Sequence, residues 1–163
     1  MNVRQPMTGI VADTGWFEDF AVGQRMRHAR ASTIGEVEGA FLAKLVMNTA
    51  QPHWNEVVMA GHPLGPGRLV FGLATAATVF GLASQDTVEH AVCELRYDRV
   101  RFRSPVHHGD TIEAFSEVLE CRAAPDRADA GIVRFMHWGR NQEGAVVVEA
   151  ERTALIKRRS HWA

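Results

Sequence analysis

Arg68-Leu69-Val70-Phe71-Gly72-Leu73-Ala74-Thr75-Ala76-Ala77-Thr78-Val79-Phe80-Gly81-Leu82-Ala83-Ser84 is the most apolar run of the chain, and small residues recur along it. It is too short and too mild in hydropathy to cross a membrane. It predicts a buried helix whose Gly and Ala side chains let other backbone come close. C-terminal to it the texture changes to strands, over 92–103, 111–120, 132–140 and 146–157. The segments 104–109 and 141–144 read as turns, and 123–131, with Pro125, as a polar loop. Four consecutive strands on short connections predict an antiparallel meander. One small-residue helix before them predicts an α+β domain, a curved antiparallel sheet wrapped around a central helix.

N-terminal to the run, 48–67 is irregular, with Pro52, Pro63 and Pro66 among Gly61, Gly65 and Gly67. A first helix should precede it. Thr33 followed by Glu36 is a capping-box pattern. Val37, Phe41, Leu45 and Asn48 then fall on one face, apolar until the amide at its end, which predicts that Asn48 points inward. Residues 24–31 read as a first strand, 16–23 as an anchored opening segment of aromatics and acids, and 1–15 as a loose leader.

The length of 163 residues fits one domain over 1–163. A composition of 46% hydrophobic and 23% charged residues is ordinary for a globular protein, and the net charge of −1 implies no global attraction to nucleic acid or to an anionic membrane. Cys93 and Cys121 have no metal-like spacing and suit a reducing cytoplasm. His62, His107, His108 and His137 lack Asp, Glu or Cys partners at ligand spacing, so no metal site is expected.

Four segments, taken in order, resemble the MaoC-like dehydratases, the family of the (R)-specific enoyl-CoA hydratases. They are Phe17-Glu18-Asp19-Phe20-Ala21-Val22-Gly23, Asn48-Thr49-Ala50-Gln51-Pro52-His53, Gly67-Arg68-Leu69-Val70-Phe71-Gly72 and Val100-Arg101-Phe102-Arg103-Ser104-Pro105-Val106-His107-His108-Gly109-Asp110-Thr111. The resemblance implies a hot-dog fold and a substrate that is an acyl thioester. The family places an Asp and a His five residues apart on a loop. Here His53 matches the His, Asn48 stands in place of the Asp, Ala50 in place of an inner Asn, and the Pro is displaced by one. An Asn-Thr stretch ending in His is similar to the branch acting on branched, carboxylate-bearing C5 acyl-CoAs, the mesaconyl- and itaconyl-type hydratases.

Adding water across an α,β-unsaturated thioester needs a base for the water, an acid for the α-carbon and donors for the enolate oxygen. The resemblance implies the backbone N–H of Gly72 as that donor, at a helix start where free N–H groups favour an oxyanion. His53 is the acid/base candidate. Asn48 has no accessible ionisation and can only hydrogen-bond. Either His53 transfers the protons while Asn48 holds the water, or another carboxylate substitutes, with Glu56 the nearest, or the substrate brings its own carboxylate, beside which an Asp would be repelled. Gln51 and Arg68, inside the matching segments, are expected to bind substrate. Arg99, Arg101 and Arg103 alternate along one strand and are candidates for coenzyme A phosphates or a substrate carboxylate. No separate cofactor is implied, because coenzyme A or a carrier thioester is part of the substrate. An open sheet edge predicts at least a homodimer with the site at the interface.

Each residue also has a plainer reading: His53 as a packed loop histidine, Asn48 as a helix C-cap, Gly72 as a packing glycine, the arginines as a solvated face. Two other functions stay open. Hot-dog domains also resemble thioesterases, which usually carry a carboxylate on the central helix, and none occurs from Gly72 to Ser84. The replaced Asp leaves room for a non-catalytic subunit that binds acyl thioesters.

Overall fold

The structure is a computed structural model and describes residues 14–162. The expected leader lies, up to residue 13, outside the described residues. Five strands, β1 (Arg25–Thr33), β2 (Ala91–Phe102), β3 (Thr111–Ala123), β4 (Ala130–Arg140) and β5 (Val146–Lys157), form one antiparallel sheet in the order β1-β3-β4-β5-β2. The helices are α1 (Glu36–Leu45), α2 (Glu56–Met59), α3 (Gly72–Thr87) and α4 (Arg159–Trp162), with 3₁₀ turns at Phe17–Asp19 and Gln51–His53. α3 packs across β1, β3, β4 and β5. This is the hot-dog arrangement.

The alternation on β3 makes the core. Ile112, Ala114, Ser116 and Val118 are buried, and they face α3 together with Val133, Phe135 and His137 of β4. Gly139 is required here: a Cβ on it would lie 2.5 Å from Val79 Cγ2 of α3. Beneath the other end of the sheet Phe17 fills the space over Gly131, and Trp16 stacks on His90 at 3.8 Å.

Three expectations change. The four strands are not a simple meander: β3, β4 and β5 follow one another, but β2 pairs with β5 at the far side, so residues 103–110 carry the chain across the end of the sheet. α1 is not capped by Thr33, whose hydroxyl bonds Thr111 Oγ1 at 2.7 Å. Gly35 is the N-cap, and its N–H donates to Glu38 Oε1 at 2.8 Å. The predicted stripe is exposed, with Val37 at 85% and Leu45 at 62%. Gly39 and Ala43 are the residues α1 buries, and small side chains carry little hydrophobic signal.

Candidate active site

The connection from α1 to α3 builds the site. α1 ends in a left-handed residue, Met47 (φ 55°), with Met47 N–H donating to Lys44 O at 3.0 Å and Asn48 N–H to Ala43 O at 2.9 Å. This is the Schellman closure. The C-capping expected of Asn48 thus falls to its neighbour, and Asn48 stands one residue beyond. Its Oδ1 accepts the Ala50 N–H at 2.9 Å, so the amide NH₂ is what it has left to offer. Asn48 lines a cavity of about 480 Å³ with Leu42, Val46, Phe71, Leu73, Ala74 and Ala77, and is its one polar lining residue among the described residues.

His53 closes the 3₁₀ turn after Asn48. The Leu69 N–H donates to Pro52 O at 2.9 Å, and His53 Nδ1 lies 3.0 Å from Leu69 O. A carbonyl only accepts, so Nδ1 carries the proton and Nε2 keeps its lone pair. The ring meets Phe71 edge-on at 5.6 Å. Leu69 is held in turn: it bridges His107, and Val70 N–H donates to Val106 O at 2.8 Å.

Two residues later α3 begins at Gly72. No side chain caps it, so the N–H groups of its first turn keep their donor capacity up to Thr75, which bonds Phe71 O at 3.1 Å. Gly72 lines a second cavity of about 290 Å³ with Leu69, Thr75, Phe102, Arg103 and Val106. A Cβ at Gly72 would sit 3.0 Å from the Phe102 ring, so the glycine has a packing reason as well. Among the described residues, no Asp or Glu lines either cavity.

The remaining candidates lie elsewhere. Gln51 is exposed and accepts from Asn55 Nδ2 at 2.7 Å. Arg68 is mostly covered, donating to Glu36 and, at 2.7 Å, to Glu56, so Glu56 is tied in an ion pair. Burial, and then the Arg68 charge, hold the His108 pKa below its ordinary value. Arg99 pairs at 2.9 Å with the buried carboxylate of Glu151, and Arg101 and Arg103 pair with Glu149. These acids lie on the face of β5 opposite Arg152, which bonds Ser84 of α3, so the arginine row is on the sheet's outer face. Arg103 alone also borders the Gly72 cavity. Sequence reasoning missed the Leu69 carbonyl as the anchor of His53, since backbone acceptors leave no residue signal.

Residues 6–158 match the mesaconyl-CoA hydratase family. The mesaconyl-CoA hydratase of Haloarcula marismortui is 33% identical over 165 residues, 94% of this chain and 45% of the relative. The β-methylmalyl-CoA dehydratase of Chloroflexus aurantiacus is 30% identical over 88% of this chain and 44% of its own length. The crystal structure of a MaoC domain dehydratase from the same organism superposes with a TM-score of 0.81 at 29% identity, covering 88% of this chain and 45% of that one. The chain therefore spans less than half the length of these relatives. With the family match covering residues 6–158, the chain belongs to the mesaconyl-CoA hydratase family, within the MaoC-like hot-dog proteins.

Proposed function

We propose that the chain hydrates, and in reverse dehydrates, a branched C5 dicarboxylic acyl-CoA of the mesaconyl type. The observation that carries the reading is His53, fixed through Nδ1 on Leu69 O, with the Nε2 lone pair kept, against the segment that leads into the uncapped start of α3. His53 Nε2 takes a proton from water as the oxygen bonds to the β-carbon. The π electrons move to the thioester oxygen, which the first-turn N–H groups at Gly72 stabilise, and the proton is returned to the α-carbon. With Glu56 held by Arg68 and no carboxylate among the described residues lining either cavity, we assign both transfers to His53. The Asn48 NH₂ orients the water or the substrate's free carboxylate, where an Asp would repel that carboxylate.

The mesaconyl-CoA hydratase and β-methylmalyl-CoA dehydratase relatives are about twice as long, and this unit leaves much uncovered: the twelve-residue edge strand β2 exposes Leu95 and Tyr97, and α1 exposes Val37, Phe41 and Leu45. We assign the missing cover to a second copy, joined edge to edge, with the site near the junction. The free thiols of Cys93 and Cys121 suit work in the cytoplasm.

The test is mesaconyl-CoA with the purified chain, following enoyl-thioester absorbance and free thiol together. Loss of absorbance without thiol is the expected result. Thiol release would make the protein a thioesterase, and no change in either would make it a binding subunit.

A further inference from the structure

The ends of the loop formed by residues 54–67 are tied at the backbone, at a ring and at side chains. The Leu69 N–H donates to Pro52 O at 2.9 Å. His53 Nδ1 lies 3.0 Å from Leu69 O. Arg68 Nε donates to Glu56 Oε1 at 2.7 Å. The same guanidinium donates through Nη2 to Glu36, in the first turn of α1. One arginine thus joins both ends of the loop to a helix that precedes it in the chain. Arg68 is mostly covered, whereas Glu36 and Glu56 are exposed.

The family resemblance puts Arg68 among the residues that bind substrate, and its surroundings argue otherwise. The CoA ester of a dicarboxylic acid is an anion. One guanidinium with two carboxylates against it is no net attractor of an anion. Nor, among the described residues, is Arg68 part of the lining of either cavity beside α3. What lies next to it is the support of His53. The peptide unit between Leu69 and Val70 accepts from the His53 ring with its C=O and donates to Val106 O at 2.8 Å with its N–H. Where that unit sits decides whether the ring bond is made. The elements on its loop side are thinly packed: α2 is four residues long and buries Met59, and α1 buries Gly39 and Ala43. A planar guanidinium shared by carboxylates on both supplies the lateral tie that apolar packing does not. An isolated exposed ion pair contributes little, but a mostly covered arginine bonded to two separate elements is a network of fixed geometry.

We propose that Arg68 is a positioning residue for the hydration: by clamping Glu36 and Glu56 it holds residues 68–70 against Pro52 and His53, so that Leu69 O keeps the hydrogen on His53 Nδ1 and Nε2 keeps the lone pair that takes a proton from water. The inference rests on His53 as the base assigned above. Which nitrogen of a neutral imidazole carries hydrogen is set by the bond that the other one makes. With the clamp opened, the Leu69 carbonyl no longer fixes the tautomer, and a ring with its hydrogen on Nε2 cannot act as the base. The loss falls on the fraction of protein ready to react and not on its affinity for substrate, so kcat falls while KM holds.

The experiment pairs nitrogen-15 NMR of the histidine rings at mildly alkaline pH, which separates the two neutral tautomers, with turnover of mesaconyl-CoA. Both are measured on the natural protein, on Arg68→Met and on the double variant Glu36→Gln/Glu56→Gln. The expected result is Nδ1–H at His53 in the natural protein and a mixture of tautomers in each variant. kcat should fall by about 10-fold in each, inside the about 100-fold that the imidazole itself supplies, with KM unchanged. An Arg68 that binds substrate behaves differently: Arg68→Met would raise KM with kcat and tautomer intact, and the double variant, by freeing the guanidinium, would lower KM. Either of those results, or an unchanged Nδ1–H at His53 in either variant, overturns the proposal. Should Arg68→Met not fold, the double variant, altered only at exposed side chains, decides by the same readings. The NMR arm needs no turnover. A natural protein that leaves mesaconyl-CoA unchanged while both variants lose the tautomer would refute the hydration reading and leave the clamp in place.

Discussion

Lowering the pH below 6.5 should destabilise this fold through His137 by an amount that can be worked out. The ring is fully buried on β4, and burial first, then the charges of Arg152 and His28, bring its pKa from 6.5 to about 3. In the unfolded chain it titrates normally. Between the two values the unfolded state holds a proton that the folded state refuses, so stability is complete above pH 6.5 and falls as pH falls toward 3. At about 1.4 kcal/mol per pH unit, His137 accounts for a loss of about 2 kcal/mol by about pH 5 and about 5 kcal/mol over the full span. Urea denaturation followed by tryptophan fluorescence, on the natural protein and on His137→Gln, isolates this contribution. The pKa of His108 is also lowered, so it acts in the same direction, but it is present in both proteins and cancels. The stability advantage of the natural protein over the variant should shrink by about 2 kcal/mol between about pH 6.5 and about pH 5. Parallel profiles would show that the His137 environment is not the dry one described.

Other outcomes follow from the same contacts. Gly139→Ala places a methyl 2.5 Å from Val79 Cγ2 and should cost about 1–3 kcal/mol in urea denaturation as α3 is pushed from the sheet; an unchanged midpoint would mean that the helix sits less tightly. Asn48→Asp should lower kcat/KM for mesaconyl-CoA more than for a plain enoyl-CoA, by a factor equivalent to about 1 kcal/mol or more, and an equal gain on both would make the site an ordinary hydratase site that had lost its base. Light scattering at micromolar concentration should report at least a dimer, and a stable monomer would remove the second copy from the account.

Much of the fold is legible in the residues. The small-residue run at 68–84 marks the helix that crosses the sheet, and the alternation through 111–120 and 132–140 marks its two central strands. The partner of β2 is not legible, because pairing Tyr97 with Arg152 depends on how the chain closes over 55 residues rather than on local pattern. The orientation of α1 escapes for a different reason: Gly39 and Ala43 pack because they are small, while the larger apolar residues stay outside. In the site, the loop from Asn48 to His53 and the start of α3 stand out by motif. The bond that fixes the His53 tautomer runs to a carbonyl 16 residues away. His28 Nε2 and Ser116 Oγ meet at 2.7 Å from positions 88 residues apart, and each reads alone as an ordinary strand residue.

The central claim is that His53 moves the protons of an acyl-thioester hydration. Turnover of mesaconyl-CoA by His53→Ala, against the natural protein and with the urea midpoint checked in both, tests it directly. The account predicts a fall in kcat of about 100-fold or more with the fold retained. Turnover at the natural rate in that variant would contradict it.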